Sequence, residues 1–358
     1  FIAEALTGNR SGSLIYANGP DEAEKIAFLL NQEASRDRID PELAALADLS
    51  RKGVHPEYLL ASLVERGVAF HYGNMPSLLR SEIERLFKSG KIRFLVCTST
   101  LIEGVNLSCR MIVLRGPRKG KTQPMLAHDF WNLAGRAGRW GDEFQGTIVC
   151  IDPHNESGWP NGVPKRQRYE IKRETDAVLD KPEEMIDFIS SRDEMTMENV
   201  GKKTQLEQVS SYLVATFLRN GSINGEAFTQ RHDPRNIARI DAALAELCAF
   251  NRVPSPIVAR HPGVNAIAMQ SLLEFFEQYE GEIEDLLPAT TEDDEALQSM
   301  IDIMGLINGH LFPAFKPDML IYGHAITVQR WLSGWSLARM IESRIRGIRA
   351  KGETPDVA

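Results

Sequence analysis

Residues 13–152 alternate short apolar runs with helical patterns, and this alternation narrows the fold more than any other feature of the chain. Ser13-Leu14-Ile15-Tyr16-Ala17, Val68 to His71, Phe94 to Cys97, Met111 to Leu114 and Thr147 to Ile151 read as strands of β-branched and apolar residues. A helix is predicted from the Asn18-Gly19-Pro20-Asp21 turn to about Asn31. Others follow from about Pro41 to Lys52 and from about Pro56 to Arg66. Pro76 opens a further helix that carries Leu79, Ile83, Leu86 and Phe87 on one face and closes at Gly90. Strands separated by helices imply an α/β fold with a mostly parallel sheet covered on both faces. Ligands of such sheets gather beyond the carboxyl ends of the strands, so Thr98 and the helix leading to Arg136 are expected there.

Two segments within this region carry chemistry. Asn132-Leu133-Ala134-Gly135-Arg136-Ala137-Gly138-Arg139 places two arginines three residues apart, each after a glycine. On a helix such residues share a face, and two guanidinium forks side by side suit phosphate oxygens. Alone, the pair would equally fit a solvated helix surface. Upstream, the Phe94–Cys97 strand runs into Thr98-Ser99-Thr100, with Gly104 and Asn106 shortly after. Hydroxyls and backbone N–H groups at a strand end, followed by a helix start, can surround an anion. An ordinary capped strand-to-helix turn would look the same.

Taken in order, these segments resemble the second RecA-like domain of superfamily 2 helicases. Gly67-Val68-Ala69-Phe70-His71-Tyr72-Gly73-Asn74-Met75-Pro76, with Arg80 and Glu84 on the next helix, is similar to the family's strand, H-x-G turn and helix. Thr98 to Asn106 resembles motif V, and Asn132 to Arg139 resembles motif VI. The forms TSTLIEGVN and NLAGRAGR are closest to the superkiller-like DEAD/DEAH branch. The resemblance covers residues 11–152. It implies an ATP-dependent helicase or translocase in which nucleotide and Mg²⁺ lie between two RecA-like domains. Arg136 and Arg139 would then contact the γ-phosphate, with Arg139 as the arginine finger. Asn132, in place of the usual glutamine, Gly104 and Asn106 would lie along the nucleotide. Gly73, Thr98, Ser99 and Thr100 would hold a single-stranded or partly duplex nucleic acid on the opposite rim.

The chain contains no GxxxxGK[ST] phosphate loop and no DExx carboxylate motif after an apolar strand. In the resembled enzymes both sit on the first RecA-like domain, which is therefore an expected partner. Gly116-Pro117-Arg118-Lys119-Gly120-Lys121-Thr122 ends in GKT but has one residue too few between its glycines, and Pro124 interrupts any following helix. In the resembled family some members carry a strand-parting β-hairpin in this interval, which Arg115, Arg118, Lys119 and Lys121 would suit; a plain basic loop is the alternative. The start at Phe1 is neither a methionine nor a signal peptide, and a piece of a longer protein is expected.

Among 358 residues the formal net charge is -8, which argues against a uniformly basic coat but leaves room for a local basic groove. The four cysteines form no CxxC pair, so buried reduced thiols are expected, with no metal site. No run is long and apolar enough to span a membrane, and a cytoplasmic protein is expected.

Beyond residue 153 the composition changes. Residues 154–203 read as linker and connector, including the basic run Lys165 to Arg173, which could touch a phosphate backbone or simply face solvent. The rest is helical: a possible winged-helix-like module over 204–262 and a helical bundle over 263–358. Trp331, Trp335 and Ile341 are expected on one last long helix. The acidic runs Glu280 to Asp285 and Glu292 to Glu295 read as solvated helix ends and a loop. A non-catalytic binding module built on a helicase scaffold and a phosphotransferase built on Gly120-Lys121-Thr122 are the competing readings. Arginine fingers would be useless to the first, and the glycine spacing disfavours the second.

Overall fold

A computed structural model of the chain describes residues 2–7, 12–34, 40–100, 107–119, 123–138, 146–166, 173–315 and 319–352. It divides into two compact units, Phe1–Tyr169 with Ser336–Ala358, and Glu170–Trp335.

The first unit is a RecA-like α/β layer. Its strands are β1 (Ser13–Tyr16), β2 (Val68–His71), β3 (Phe94–Cys97), β4 (Met111–Arg115) and β7 (Thr147–Ile151), ordered β2-β3-β1-β4-β7. Every pairing is parallel, with Ser13 level with Phe94 and Met111, and Met111 level with Thr147. β1, β2 and β3 are buried along their whole length. This explains their unbroken apolar character: a parallel strand covered on both faces has no polar side to alternate with. The flanking helices are α1 (Ile2–Thr7), α2 (Pro20–Glu33), α3 (Pro41–Gly53), α4 (Leu59–Val64), α5 (Ser77–Lys88) and α6 (Ala127–Ala134). Asp40 caps α3 by accepting from the Glu42 N–H, and Leu79, Ile83, Leu86 and Phe87 are the buried stripe of α5.

Between β4 and α6, β5 (Arg118–Lys119) and β6 (Gln123–Pro124) pair antiparallel. The Gly120–Thr122 tip lies outside the described residues. A phosphate loop needs a strand-to-helix turn, and an antiparallel hairpin at this place is a different construction.

The second unit is helical: α7 (Glu174–Leu179), α8 (Pro182–Ser190), α9 (Met197–Lys202), α10 (Thr204–Asn220), α11 (Pro234–Cys248), α12 (Ser255–Arg260), α13 (Ala266–Gln278), α14 (Ala296–Leu306) and α15 (Met319–Leu332). A π-helical turn, Ile307–Leu311, continues α14. No strand occurs among its described residues. One core, from Val178 to Ala266, joins α7, α8, α10, α11 and α12. Within it Arg192, 2% exposed, makes a two-pronged bond to Glu207 at 2.7 Å on each prong. α10 ends where Gly221 turns left-handed at φ 76°, the conformation a glycine adopts without a Cβ penalty.

The expected last long helix is two helices. Gly334 is left-handed (φ 77°), Trp335 N–H bonds back to Arg330 O, and Ser336 caps α16 (Leu337–Ala350) by accepting from the Arg339 N–H. The glycine lies between the two tryptophans, so the apolar stripe is interrupted although its spacing continues. α16 belongs to the first unit, where Ile341 packs on the sheet core and Glu342 meets His55 at 3.2 Å.

Candidate functional site

The carboxyl edge of β2 and β3 holds the first cluster. Beyond the strands, Thr98 N–H donates to His71 O (3.2 Å), which extends the pairing by one step. Thr98 is buried at 7% exposure, and its hydroxyl lies 3.3 Å from that of Thr100. A Cβ on Gly73 would sit 3.3 Å from Thr100 Oγ1, tighter than ordinary packing allows. Gly73, Thr98 and Thr100 are thus brought together, and Ser99 and Thr100 are the more accessible hydroxyls.

Two contacts that hold this turn come from distant helices. His71, 1% exposed, lies 3.0 Å from Glu84 on α5 through Nε2. Its buried Nδ1 has no hydrogen-bond partner among the described residues. Protonating Nδ1 would bury an unsatisfied donor. Desolvation accordingly pulls the His71 pKa below its ordinary value, against the opposing pull of Glu84. The neutral ring donates through Nε2 to the carboxylate. Tyr72 donates its hydroxyl to Glu24 on α2 at 2.5 Å and stacks on Phe70, with ring centres 5.5 Å apart. Burial pushes the Tyr72 hydroxyl far up, and the same cause lifts Tyr58 to about 12. Sequence reasoning named His71 and Glu84 in one motif but missed their contact. It missed Glu24 entirely, and no local signal marks an acid that meets its partner 48 residues away.

The second cluster lies at the opposite edge. α6 begins after the β5–β6 hairpin at the carboxyl side and runs back across the sheet, so its far end reaches the amino ends of β4 and β7. Cys109 N–H donates to Arg136 O and Gly138 N–H to Cys109 O, both at 2.9 Å, just before β4. Gly138 is left-handed at φ 97°. A Cβ on Gly146, one residue before β7, would fall 2.2 Å from the Ala137 carbonyl carbon, so only glycine fits. The Arg136 backbone therefore lies at the amino end of β4, across the sheet from Thr98, while the charge of its side chain still acts on Cys97 next to Thr98. A crossover helix between parallel strands must end where the next strand begins.

Arg136 is half-buried and Asn132 is exposed on α6. The Arg136 charge partly opposes the burial that raises the thiols of Cys97 and Cys109, the latter to about 12. All four cysteines are free, and no group of three or more His, Cys, Asp or Glu among the described residues could hold a metal. Gly104, Asn106 and Arg139 lie outside the described residues, as do residues 167–172 of the basic run.

The hairpin base is fixed at the carboxyl edge. Tyr16 donates its hydroxyl to Arg118 O (2.6 Å), and Arg118 N–H donates to Asn18 Oδ1 (2.7 Å). Trp131 donates through Nε1 to Lys165 O, which ties α6 to the loop after β7, and Trp159 of that loop donates through Nε1 to Ile151 O of β7.

Residues 47–141 match the helicase conserved C-terminal domain, a span that includes both clusters. The likeness to that domain therefore falls within the first unit. The chain is 30% identical over 136 residues to Hachiman protein HamB of Bacillus cereus, covering 37% of this chain and 12% of that protein. It is 37% identical over 116 residues to the ATP-dependent DNA helicase Hel308 of Aeropyrum pernix, 30% of this chain and 16% of that one. It is 32% identical over 135 residues to the antiviral helicase SKI2 of Saccharomyces cerevisiae, 37% of this chain and 10% of that one. The chain therefore spans a small part of the length of each relative. No helix among the described residues is long and apolar enough to cross a membrane.

Proposed function

We propose that the chain is the C-terminal portion of an ATP-dependent nucleic-acid helicase or translocase of superfamily 2, in its superkiller-like branch, acting in the cytoplasm. The observation that carries this reading is that both motif-bearing turns are fixed on one sheet: Gly73, Thr98 and Thr100 close together beyond β2 and β3, and the Arg136 backbone is bonded beside Cys109. Such a layout lets one rigid sheet hold both the nucleotide-facing and the strand-gripping groups. It is favoured over a pure binding scaffold because Gly146 and Gly138 specifically accommodate the arginine segment against Cys109.

In this reading ATP and Mg²⁺ are held chiefly by a first RecA-like domain. Arg136 and Arg139 would face the γ-phosphate from this side, with Asn132, Gly104 and Asn106 along the nucleotide. The half-buried setting of Arg136 fits the role, since a cation held in a partly dry site costs little reorganisation when charge builds on the phosphate oxygens. Beyond β2 and β3, Gly73 with Thr98, Ser99 and Thr100 would contact phosphates of a single strand, positioning it without reading its sequence. We retain residues 204–262 as a winged-helix-like module and 263–358 as a helical bundle, of which Leu337–Ala350 groups with the first unit.

The test is Arg139→Ala and Arg136→Ala in the intact protein. Stimulated ATP hydrolysis should fall by about 10³-fold or more, while single-strand binding at fixed salt stays within about twofold, since in this reading Gly73, Thr98, Ser99 and Thr100 carry the strand contact. Undiminished turnover in both variants would sink the assignment.

A further inference from the structure

From residue 261 to residue 315 the chain has eleven acidic residues and no lysine or arginine. This stretch combines apolar helices with negative charge that no lysine or arginine of its own offsets. α14 reads Ala-Leu-Gln-Ser-Met-Ile-Asp-Ile-Met-Gly-Leu, yet only Ala296 and Met304 of it are buried. A helix apolar on nearly all sides is normally a covered helix. Beside it lies a cleft of about 710 Å³ between α13, α14 and α15, lined by Phe275, Leu286, Ile301, Leu306, Ile321 and Tyr322. Apolar surface continues outside the cleft: Ile283 and Leu287 are each 59% exposed and Tyr322 58%.

The rim of the cleft is negative. Asp285 and Asp302 line it, and Glu280, Glu282, Glu284, Glu292, Asp294 and Glu295 border it in sequence, all exposed. None of these eight has a cationic partner among the described residues. Glu277, by contrast, is paired to Arg252 by two bonds of 2.7 Å. A surface of this sign repels phosphate, so it lies off any nucleic-acid path. It would equally repel an anionic lipid surface.

We propose that this cleft docks an amphipathic α-helix of a partner protein, with an apolar stripe for the cleft and Lys and Arg along both flanks for the acidic rim. The apolar lining and a volume of about 710 Å³ leave room for large side chains, such as those a helix presents at i, i+3, i+4 and i+7 when it seats in a groove. The unpaired carboxylates supply charge complementarity, which selects the partner and orients it. The proposal is independent of the ATPase reading: it concerns a different unit and uses none of its residues.

The experiment measures binding of the 358-residue chain to a fluorescent helical peptide with leucines at i, i+3, i+4 and i+7 and Lys/Arg flanks. Two control peptides are used, one with glutamates in place of the cations and one with serines in place of the leucines. The cationic amphipathic peptide should bind, weakening with salt, and each control should bind at least about tenfold more weakly. The exposed-site variants Tyr322→Ala and Asp285→Lys/Asp302→Lys should each weaken binding by about tenfold with an unchanged far-UV circular dichroism spectrum. Equal binding of the serine control would reduce the effect to bulk electrostatics and overturn the proposal. So would indifference to both variants, protection of residues 275–322 by a single-stranded oligonucleotide, or self-association that excludes the peptide.

Discussion

Two regions of this protein have similar apolar content and opposite fates. The strands β1, β2 and β3 of the sheet unit are sealed, with Leu14, Phe70, Phe94 and Leu95 at 0% exposure. The α13–α15 region is also rich in Leu, Ile, Met and Phe, but most of those side chains remain half-exposed, and among its described residues only Ala266 joins the buried core of the helical unit. The difference lies in what each region packs on. Parallel strands carry helices from their own crossovers, so the chain covers them itself. The late helices have no such layer within their unit. Apolar sequence therefore signals a core in the first region and an interface in the second.

The contrast can be broken or sharpened by substitution. The largest effect is expected from Gly146→Ala, where the new Cβ would overlap the Ala137–Gly138 backbone. A loss of about 4 kcal/mol, or failure to fold, should appear in denaturant titration of the first unit. A mild effect would mean the arginine segment is loosely seated. Next is Arg192→Ala in the sealed half of the helical unit. It strands Glu207 beside Asn265 and should cost about 3 kcal/mol. A cost near zero would mean that this half is as open as its neighbour.

The pH dependence of the sheet unit should be intermediate in size. The His71 pKa is depressed in the fold, so the unfolded chain binds its proton more readily. Stability is then full above the ordinary histidine value and falls as pH drops below about 6.5 towards the depressed folded value. Urea midpoints measured between neutrality and mild acid should show this slope, and His71→Gln should flatten it. An unchanged slope in that variant would assign the effect elsewhere. The smallest effect should be Trp331→Ser. That side chain is 69% exposed, so thermal unfolding should shift by no more than about 0.5 kcal/mol in free energy. A large loss would show that the late helices are core after all.

Much of the sheet unit was legible without coordinates. The predicted strands at 68–71, 94–97 and 147–151 coincide with the observed ones, and β4 gains only Arg115. Those runs are short and mostly apolar, and Gly67 and Gly146 directly precede two of them, so local chemistry is enough. The helix from Pro41 and the stripe of α5 were equally clear, because a cap and a 3.6-residue period are local signals. Non-local features were not legible. The Glu24–Tyr72 bond, the break at Gly334 and the place of the Arg136 backbone across the sheet from Thr98 each depend on where distant segments meet.

The sequence alone determined the strand-helix alternation, the buried character of the strands and the two chemical segments, because periodicity, capping and turn chemistry act over a few residues. Tertiary structure alone decided which edge of the sheet each segment occupies. It also decided that His71 is neutral against Glu84, and that the acidic, apolar late helices surround a cleft instead of a core. The physical reason is the same in each case. Burial and electrostatic environment are set by neighbours brought together through chain crossings, and no local pattern encodes which neighbours those will be.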